Sequence, residues 1–289
     1  MPKPTQLATK IFLDSGDPAE TREALASLGF LDGQTTNPSL VAKNPEIQKR
    51  LSEGKKFTQA DLFNFYKQTI QDISGQIPFG SVSIEVYADK FSSKEDLLIQ
   101  AEQMYNWIPN AHIKFPLIKA GLEATKDFVA AGGRANVTLC FSQNQALAVD
   151  LISQGISRGQ VFVSPFLGRL DDKGENGLSL IENILKMYSE NISKVEVLAA
   201  SIRTIEHFLA CIQLKTDIIT SPLSILKLWQ GQGLVVPDGD YLYDKKDLAD
   251  IQYLNLDKTS KLTDIDMYHP LTEAGLDKFA ADWNNLIVK

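Results

Sequence analysis

The feature that most constrains the fold of this chain is a repeat of short apolar runs alternating with longer segments of helical periodicity. Eight such runs occur, at residues 10–14, 34–36, 81–86, 112–115, 134–139, 160–163, 194–198 and 217–220. Short apolar runs bounded by turn residues predict buried strands, and the periodic segments between them predict helices. One unit recurs roughly every 29 residues, close to the length that a strand–helix–strand connection needs. The pattern therefore predicts eight parallel strands, each followed by at least one helix.

Two architectures place helices between parallel strands: a closed (β/α)8 barrel and an open doubly wound sheet. The open sheet often carries a G-x-G-x-x-G turn after a strand, and no predicted strand of this sequence is followed by one. Gly132 and Gly133 stand at a helix-to-strand turn instead. We therefore predict the α/β class, as a single (β/α)8 TIM barrel with additional helices and a C-terminal extension packed on the barrel.

The strand–helix rhythm stops after about Gly233. Residues 237–261 are polar with aromatic interruptions, which predicts an extended arm packed on the barrel. Pro270 then introduces a helix with an apolar stripe at Leu276, Phe279, Trp283 and Leu286. A helix that closes over the barrel explains this stripe best, and a subunit contact is the alternative. We expect one domain over residues 1–289, with 233–289 as C-terminal arm and helix.

Composition excludes several partners. The chain has 29 Lys and Arg against 36 Asp and Glu, a net charge of −7, which argues against nucleic-acid binding because phosphate contacts need a basic face. It has no run of about 18 apolar residues to span a membrane and no apolar stretch near the start typical of a signal peptide. Two cysteines, Cys140 and Cys211, lie in apolar segments and are expected to be reduced core residues. We expect a cytoplasmic protein that binds neither nucleic acid nor membrane.

Polar or ionisable residues stand at seven consecutive predicted strand ends. In (β/α)8 barrels the active site lies at the C-terminal ends of the strands. A structural barrel does not require polar groups at these positions, so we take them as candidate site residues. They are Asp14, Asn37, Glu85, Lys114, Asn136 with Thr138, Ser164, and Ser201 with Arg203.

Lys114 is the most informative of these residues because it lies inside a short apolar strand. Burying an ammonium group is costly, so a lysine at such a place favours its neutral form. A neutral amine in the mouth of a barrel is a nucleophile toward a carbonyl carbon, which predicts Schiff-base chemistry. The alternative is a side chain whose stem is buried while its amine reaches the rim.

Charged residues near Lys114 fit such a reaction. Asp14 and Glu85 end neighbouring strands and could shuttle protons, although each could equally be an ion-pair partner of the lysine. Arg169 and Arg203 both follow strand ends, and the guanidinium group suits a two-pronged grip on phosphate. Either arginine alone is more often a surface ion pair, so the pair favours a phosphate-bearing substrate only when taken together.

On these residues the sequence resembles the transaldolases, class I aldolases built on a (β/α)8 barrel. The matching stretches follow the family order: FLD (12–14), DGQTTNPSL (32–40), SIEV (83–86), IKFP (113–116), NVTLCFS (136–142), VSPFLGR (163–169) and AASIR (199–203). The tail HPLTEAGLDKFAADW (269–283) is similar to the end of full-length transaldolases. The resemblance implies transfer of a dihydroxyacetone unit from sedoheptulose 7-phosphate or fructose 6-phosphate to an aldose phosphate, in the pentose phosphate pathway.

The resemblance also implies roles for matching residues. Lys114 would form the Schiff base, and Asp14 would take the proton of the substrate's C4 hydroxyl. Glu85 and Thr138 would hold a catalytic water. The residues that would contact substrate are Asn37, Asn136, Ser164 and Phe166 around the sugar, and Arg169, Ser201 and Arg203 at the phosphate. No metal or organic cofactor is expected, since the protonated imine is itself the electron sink.

Two branches of the resembling family remain open. IKFPLI is closer to the short fructose-6-phosphate aldolases, whereas Glu85, Phe166, the length and the tail favour transaldolase. Cleavage without transfer is therefore the alternative activity. A catalytically silent barrel that only binds a sugar phosphate or a partner protein is a third possibility, but it would not need Lys114, Asp14, Glu85 and Thr138 together. A homo-oligomer is possible, and nothing in the sequence fixes the surface it would use.

Overall fold

Eight parallel strands close into a barrel in the computed structural model, which describes residues 2–288. The strands in chain order are β1 (Lys10–Asp14), β2 (Gly33–Thr35), β3 (Ser81–Glu85), β4 (Ala111–Pro116), β5 (Ala135–Cys140), β6 (Val161–Pro165), β7 (Glu175–Asn176), β8 (Glu196–Ala199), β9 (Ile218–Ser221) and β10 (Ala249–Asp250). The barrel order is β1 to β6, then β8 and β9, with β9 pairing back onto β1. The predicted barrel is confirmed, and its eight strands lie within two residues of their predicted bounds.

Helices follow every barrel strand and form the outer layer. They are α1 (Pro18–Leu28), α2 (Pro38–Ala42), α3 (Pro45–Ser52), α4 (Gln59–Gln76), α5 (Lys94–Tyr105), α6 (Lys119–Ala130), α7 (Gln143–Ile152), α8 (Leu167–Asp171), α9 (Gly177–Asn191), α10 (Ile205–Gln213), α11 (Leu223–Gly231) and α12 (Pro270–Asn284). Local sequence explains where they begin and end. Asp17 caps α1 by accepting a hydrogen bond from the N–H of Ala19 at 2.8 Å, and Pro18 occupies the first turn. Gly29 then ends α1 in the left-handed conformation that glycine adopts without strain.

Aromatic side chains pack against one another inside the N-terminal end of the barrel. Phe12 packs edge-to-face on Phe162 at 6.2 Å between ring centroids, and His112 stacks on the same ring at 4.2 Å. Just outside this layer, Lys10 forms an ion pair with Glu196 at 3.0 Å. The predicted site residues stand at the other end, where the strands finish.

Helix α12 lies across the C-terminal face of the barrel. At its beginning, Thr272 donates a hydrogen bond to the carbonyl of Leu139 at 2.9 Å and accepts one from Gln145 at 2.8 Å. Just beyond its end, the backbone of Phe57 exchanges hydrogen bonds of 2.9 Å with Leu286 and Val288. The predicted apolar stripe of this helix is buried in the same interface, at Leu276, Phe279, Trp283 and Leu286. The helix is held at both ends over the mouth of the barrel.

The segment before α12 runs as an extended arm along the outer helices. Its strand β10 pairs with β7 outside the barrel. The backbone of Leu254 bonds to the side chain of Gln143 in both directions, at 2.6 and 2.9 Å. The carbonyl of Ile251 accepts from Asn183 at 2.8 Å. These hydrogen bonds hold the polar arm against α7 and α9, and the chain then returns to the C-terminal face of the barrel.

Two expectations about the chain as a whole can be compared with the structure. Cys140 and Cys211 are both buried and form no disulfide, as predicted. Burial raises the pKa of the Cys140 thiol to about 12, so this sulfur is an unreactive core atom. Among residues 2–288, no helix has the length and the apolar character that crossing a bilayer requires.

Candidate active site

The candidate active site is a pocket of about 190 Å³ at the C-terminal ends of the barrel strands, beneath α12. Eight of the predicted site residues line it, namely Asp14, Asn37, Lys114, Thr138, Ser164, Phe166, Arg169 and Ser201. The remaining three, Glu85, Asn136 and Arg203, lie around this pocket without lining it. The strand ends predicted from sequence are thus brought together in one place.

Lys114 and Glu85 form a buried ion pair in the wall of the pocket. The register of β3 and β4 places them side by side, and Lys114 Nζ lies 2.9 Å from Glu85 Oε2. The two residues are only 3% and 4% exposed, so both charges are withdrawn from bulk solvent. Nζ also donates a hydrogen bond to the backbone carbonyl of Thr36 at 3.2 Å. The lysine amine is therefore held by protein groups at the pocket wall and does not extend to the rim.

Asp14 and Glu85 do not end neighbouring strands as expected, because β2 lies between β1 and β3. Asp14 is held by a chain of hydroxyl groups. Thr35 Oγ1 donates to Asp14 Oδ1 at 2.7 Å. Thr35 Oγ1 also lies 2.6 Å from Thr220 Oγ1. Since the single hydroxyl proton of Thr35 goes to the carboxylate, Thr220 is the donor in the second contact. Oδ2 of Asp14 has no hydrogen-bond partner among residues 2–288, so it can take a proton from the pocket.

Both carboxyl groups of the site have altered acidity. Burial raises the pKa of Asp14 and of Glu85, because a charged carboxylate is disfavoured away from water. The positive charges of Lys114 and Arg169 act in the opposite direction on both groups, and burial outweighs them. A carboxyl group with a raised pKa gives up and recovers protons nearer to neutral pH, as acid–base catalysis requires.

A second hydrogen-bond network fixes the floor of the pocket. Asn136, which pairs with Lys114 in the β4–β5 register, donates to Ser83 Oγ at 3.1 Å. Its side-chain oxygen accepts a hydrogen bond from Ser164 Oγ at 2.6 Å. Asn136 is fully buried, so both ends of its amide are used to orient neighbours. Thr138, two residues further along the same face of β5, has a buried hydroxyl that meets no hydrogen-bond partner among residues 2–288.

Asn37 enters the pocket because it caps a helix. Its side-chain oxygen accepts a hydrogen bond from the N–H of Leu40 at 2.9 Å and so begins α2, with Pro38 at the first helical position. The oxygen is committed to the cap, so the amide N–H groups are what this side chain can present to a ligand.

Arg169 lies between two aromatic rings at the pocket mouth. Its guanidinium carbon is 5.0 Å from the ring centroid of Phe166 and 5.4 Å from that of Phe279 on α12. This stacking fixes the plane of the guanidinium group while leaving its N–H donors available for an anion. Ser201 adopts φ of +59°, a strained value for serine, as residues at functional sites often do.

Arg203 is placed differently from what its predicted phosphate role implies. Its guanidinium group makes a two-pronged ion pair with Asp172, in which one N–O distance is 2.7 Å. The side chain lies beside Gly168 and is nearly half exposed. In this arrangement the donors of Arg203 face a carboxylate and not the pocket, so its predicted role stays a prediction.

Several pocket residues escaped the sequence analysis. Thr35 and Thr220 support Asp14 through the hydroxyl chain described above. Their position at the ends of predicted strands is the sequence signal that points to them. Lys43 and Lys278 line the mouth and add positive charge there. Lys278 forms an ion pair with Asp282 one helical turn away, at 3.1 Å. Nothing in the spacing of the sequence distinguishes these two lysines from solvated ones, because the approach of α2 and α12 to the mouth is a property of the folded chain.

Comparison with known proteins finds relatives along almost the whole chain. A family model described as Transaldolase/Fructose-6-phosphate aldolase matches residues 11–289. A protein of Dehalococcoides mccartyi named a probable transaldolase is 34% identical over 277 residues, which are 96% of this chain and 99% of that protein. Another of that name, from Phocaeicola vulgatus, is 35% identical over 277 residues, with the same shares covered. A third, from Brucella ovis, is 32% identical over 274 residues, 95% of this chain and 96% of the relative.

Proposed function

This chain belongs to the transaldolase/fructose-6-phosphate aldolase family, and on that premise we propose that it transfers a dihydroxyacetone unit between sugar phosphates through a Schiff base on Lys114. The donor is sedoheptulose 7-phosphate or fructose 6-phosphate, and the acceptor is an aldose phosphate such as erythrose 4-phosphate. The observation that carries the proposal is a buried amine, Lys114 Nζ, at the wall of a pocket, beside the carboxyl group of Glu85 and with Asp14 lining the same pocket.

The first half of the reaction joins the ketose to the enzyme. Lys114 passes its proton to Glu85 within the ion pair, and the neutral amine then attacks the C2 carbonyl carbon. A proton of the amine moves to the former carbonyl oxygen to give a carbinolamine. Loss of the C2 hydroxyl as water then gives the protonated imine. Glu85 supplies the proton that this hydroxyl needs in order to leave, since its raised pKa and its contact with Nζ suit a group that holds a proton next to the amine.

Thr138 supports the transfer of protons between Glu85 and the oxygen atom on C2. A buried hydroxyl is costly without a hydrogen-bond partner, so Thr138 fits a position that a bound water or the carbinolamine hydroxyl satisfies. Asn136 and Ser164, already joined to each other, orient the hydroxyl groups of the ketose chain. Asn37 contributes its amide donors at the same end of the pocket.

The second half breaks and remakes a carbon–carbon bond. Asp14 takes the proton of the C4 hydroxyl, the C3–C4 electron pair moves into the protonated imine, and the aldehyde leaves. Fructose 6-phosphate releases glyceraldehyde 3-phosphate and leaves a three-carbon enamine on Lys114. Attack of this enamine on an aldose phosphate, with return of the proton from Asp14, forms the new ketose phosphate. Hydrolysis of its imine then frees the lysine.

The phosphate group of either substrate is assigned to the mouth of the pocket. Arg169 presents a guanidinium plane already fixed by Phe166 and Phe279, and Ser201 offers a hydroxyl nearby. Lys43 and Lys278 add charge at the same rim. Arg203 joins this set only when an anion displaces its carboxylate partner Asp172.

Phe166 favours transfer over simple cleavage. A free aldolase has to protonate the enamine, which needs an acid aimed at C3. The aromatic residue that lines the pocket at this position has no ionisable group. The enamine should therefore survive until an aldehyde arrives. Cleavage of the fructose-6-phosphate aldolase type remains the alternative.

A coupled assay for glyceraldehyde 3-phosphate release tests the proposal. Wild-type protein with fructose 6-phosphate and erythrose 4-phosphate should turn over, and Lys114→Met should be inactive. Lys119→Met is the matched control, because Lys119 begins the helix after the same strand and is exposed; this variant should keep wild-type activity. Equal activity of Lys114→Met and wild type would contradict the proposal, and no release by the wild type would favour a silent sugar-phosphate-binding barrel.

A further inference from the structure

Tyr66 on α4 reaches the wall of the active site from outside the barrel. Its ring is fully buried and packs edge-to-face on Trp107 and Trp283, with centroid distances of 5.7 Å in both cases. Its hydroxyl meets Thr36 and Glu85 at the C-terminal ends of β2 and β3. A tyrosine on the apolar face of a helix is expected to be a core residue, yet this one ends in the polar wall of the pocket.

The Tyr66 hydroxyl replaces one hydrogen bond of the β2–β3 ladder. The register pairs Thr35 with Ser83, and the N–H of Thr36 donates to the carbonyl of Ser83 at 3.1 Å. In a continuing parallel ladder, the next bond runs from the N–H of Glu85 to the carbonyl of Thr36. That N–H donates to Tyr66 Oη instead, at 3.0 Å.

The carbonyl that loses its ladder partner is the one that holds the lysine. Thr36 O accepts from Lys114 Nζ at 3.2 Å, and the carboxylate of Glu85 meets the same nitrogen at 2.9 Å. A closed ladder would make this carbonyl share its two lone pairs between the N–H of Glu85 and the lysine amine. The inserted hydroxyl therefore leaves two groups, on two neighbouring strands, directed at one amine.

The hydrogen bonds of Tyr66 have a single consistent direction. Thr36 Oγ1 donates its proton to the carbonyl of Ser83 at 2.9 Å, so Tyr66 Oη is the donor in its 2.8 Å contact with Thr36 Oγ1. Tyr66 thus donates one hydrogen bond and accepts one. Burial raises the pKa of the phenol far above its usual range, so it keeps its proton at any pH the enzyme meets.

We propose that Tyr66 is a positioning residue for Lys114: its hydroxyl takes the N–H of Glu85 out of the ladder so that Thr36 and Glu85 both hold the lysine amine. The inference rests on the proposed function, because it concerns how that amine is aimed at a carbonyl carbon. Since Trp283 belongs to α12, the same side chain also joins the helix over the mouth to the lysine below it.

Tyr66→Phe tests this role by removing only the hydroxyl. The rate of imine formation, measured by trapping with cyanoborohydride at saturating fructose 6-phosphate, should fall about tenfold or more, since small displacements of a reacting group are costly. The KM for the donor should change less than twofold, because the phosphate contacts lie elsewhere.

Tyr188→Phe is the matched control. Tyr188 is a buried tyrosine on α9 whose hydroxyl donates to the carbonyl of Ala146 at 2.7 Å, in the outer helical layer. Both substitutions delete one buried hydroxyl and should lower Tm by similar amounts. Only Tyr66→Phe should slow the trapping. Thr36→Val removes the hydroxyl that accepts from Tyr66 and keeps the aromatic ring. This variant should also slow the trapping, and it replaces Tyr66→Phe in the test if that variant does not fold.

The outcomes separate this inference from the proposed function. If the wild type traps no adduct on Lys114, the proposed function is wrong. If the wild type traps the adduct and Tyr66→Phe traps it at the wild-type rate, or no more slowly than Tyr188→Phe does, the positioning role is wrong and the Schiff base stands.

Discussion

Removing the buried lysine should expose the cost of keeping its partner carboxylate in the wall of the barrel. In Lys114→Met the apolar stem is conserved, but Glu85 remains 4% exposed and loses the charge 2.9 Å away. Breaking a buried ion pair on one side typically costs about 3–5 kcal/mol. Arg169 still acts on Glu85, so we expect about 3 kcal/mol at pH 7, the lower end of that range.

The same loss should depend on pH in a defined direction. Burial already raises the pKa of Glu85, and loss of Lys114 raises it further. A carboxyl group whose pKa is higher in the folded than in the unfolded state stabilises at low pH, and this stabilisation is lost as the pH rises through the folded-state value. The variant should therefore regain about 1.4 kcal/mol of stability for each pH unit, as the pH falls from the pKa of Glu85 in the folded variant to its pKa in the unfolded chain.

Urea unfolding at pH 7 and pH 5 measures both effects. Lys114→Met should lie well below the wild type at pH 7 and approach it at pH 5. The double variant Lys114→Met with Glu85→Gln, which carries neither charge, should recover most of the loss at pH 7 and show a much weaker pH dependence. A single variant as stable as the wild type at pH 7, or a deficit that stays constant down to pH 5, would refute this reasoning.

Three further predictions concern other residues. Burial lowers the pKa of His112 to about 3. As the pH falls from 6.5 to 5, the unfolded chain binds a proton on this histidine and the folded chain does not, so the protein should lose about 2 kcal/mol of stability. Urea unfolding should show no such loss in His112→Gln. Fructose 6-phosphate alone should be cleaved slowly, and adding erythrose 4-phosphate should raise turnover at least about tenfold, which corresponds to about 1.4 kcal/mol of barrier. Phe166→Tyr should lower the ratio of turnover with the acceptor to turnover without it. A ratio near one in the wild type would favour the aldolase alternative. Asp172→Asn should release Arg203 and lower the KM for the phosphorylated donor, whereas an unchanged KM would leave Arg203 without a phosphate role.

The barrel and most of its site could be predicted because both depend on local patterns. Short apolar runs, their regular spacing and the turn residues between them define eight strands. The rule that barrel chemistry lies at the C-terminal strand ends then selects Asp14, Lys114 and Thr138. Each of these side chains is placed by its own strand. Errors of one or two residues in strand bounds did not change which face of the barrel they occupy.

The remaining features depend on contacts between distant segments. Arg203 pairs with Asp172, and neither residue type nor spacing distinguishes that partner from a substrate phosphate. Lys278 reaches the mouth only because α12 folds back over it. Tyr66 has the pattern of a core residue, and only the ladder geometry of β2 and β3 reveals what its hydroxyl does.

The most direct test of the central claim is to map the covalent adduct. The protein is incubated with fructose 6-phosphate, reduced with borohydride, digested and analysed by mass spectrometry. Three lysines line the pocket, Lys43, Lys114 and Lys278, so the position of the label discriminates among them. We predict a reduced three-carbon unit on Lys114 alone. An adduct on Lys43 or Lys278, or none at all, would contradict the Schiff-base assignment.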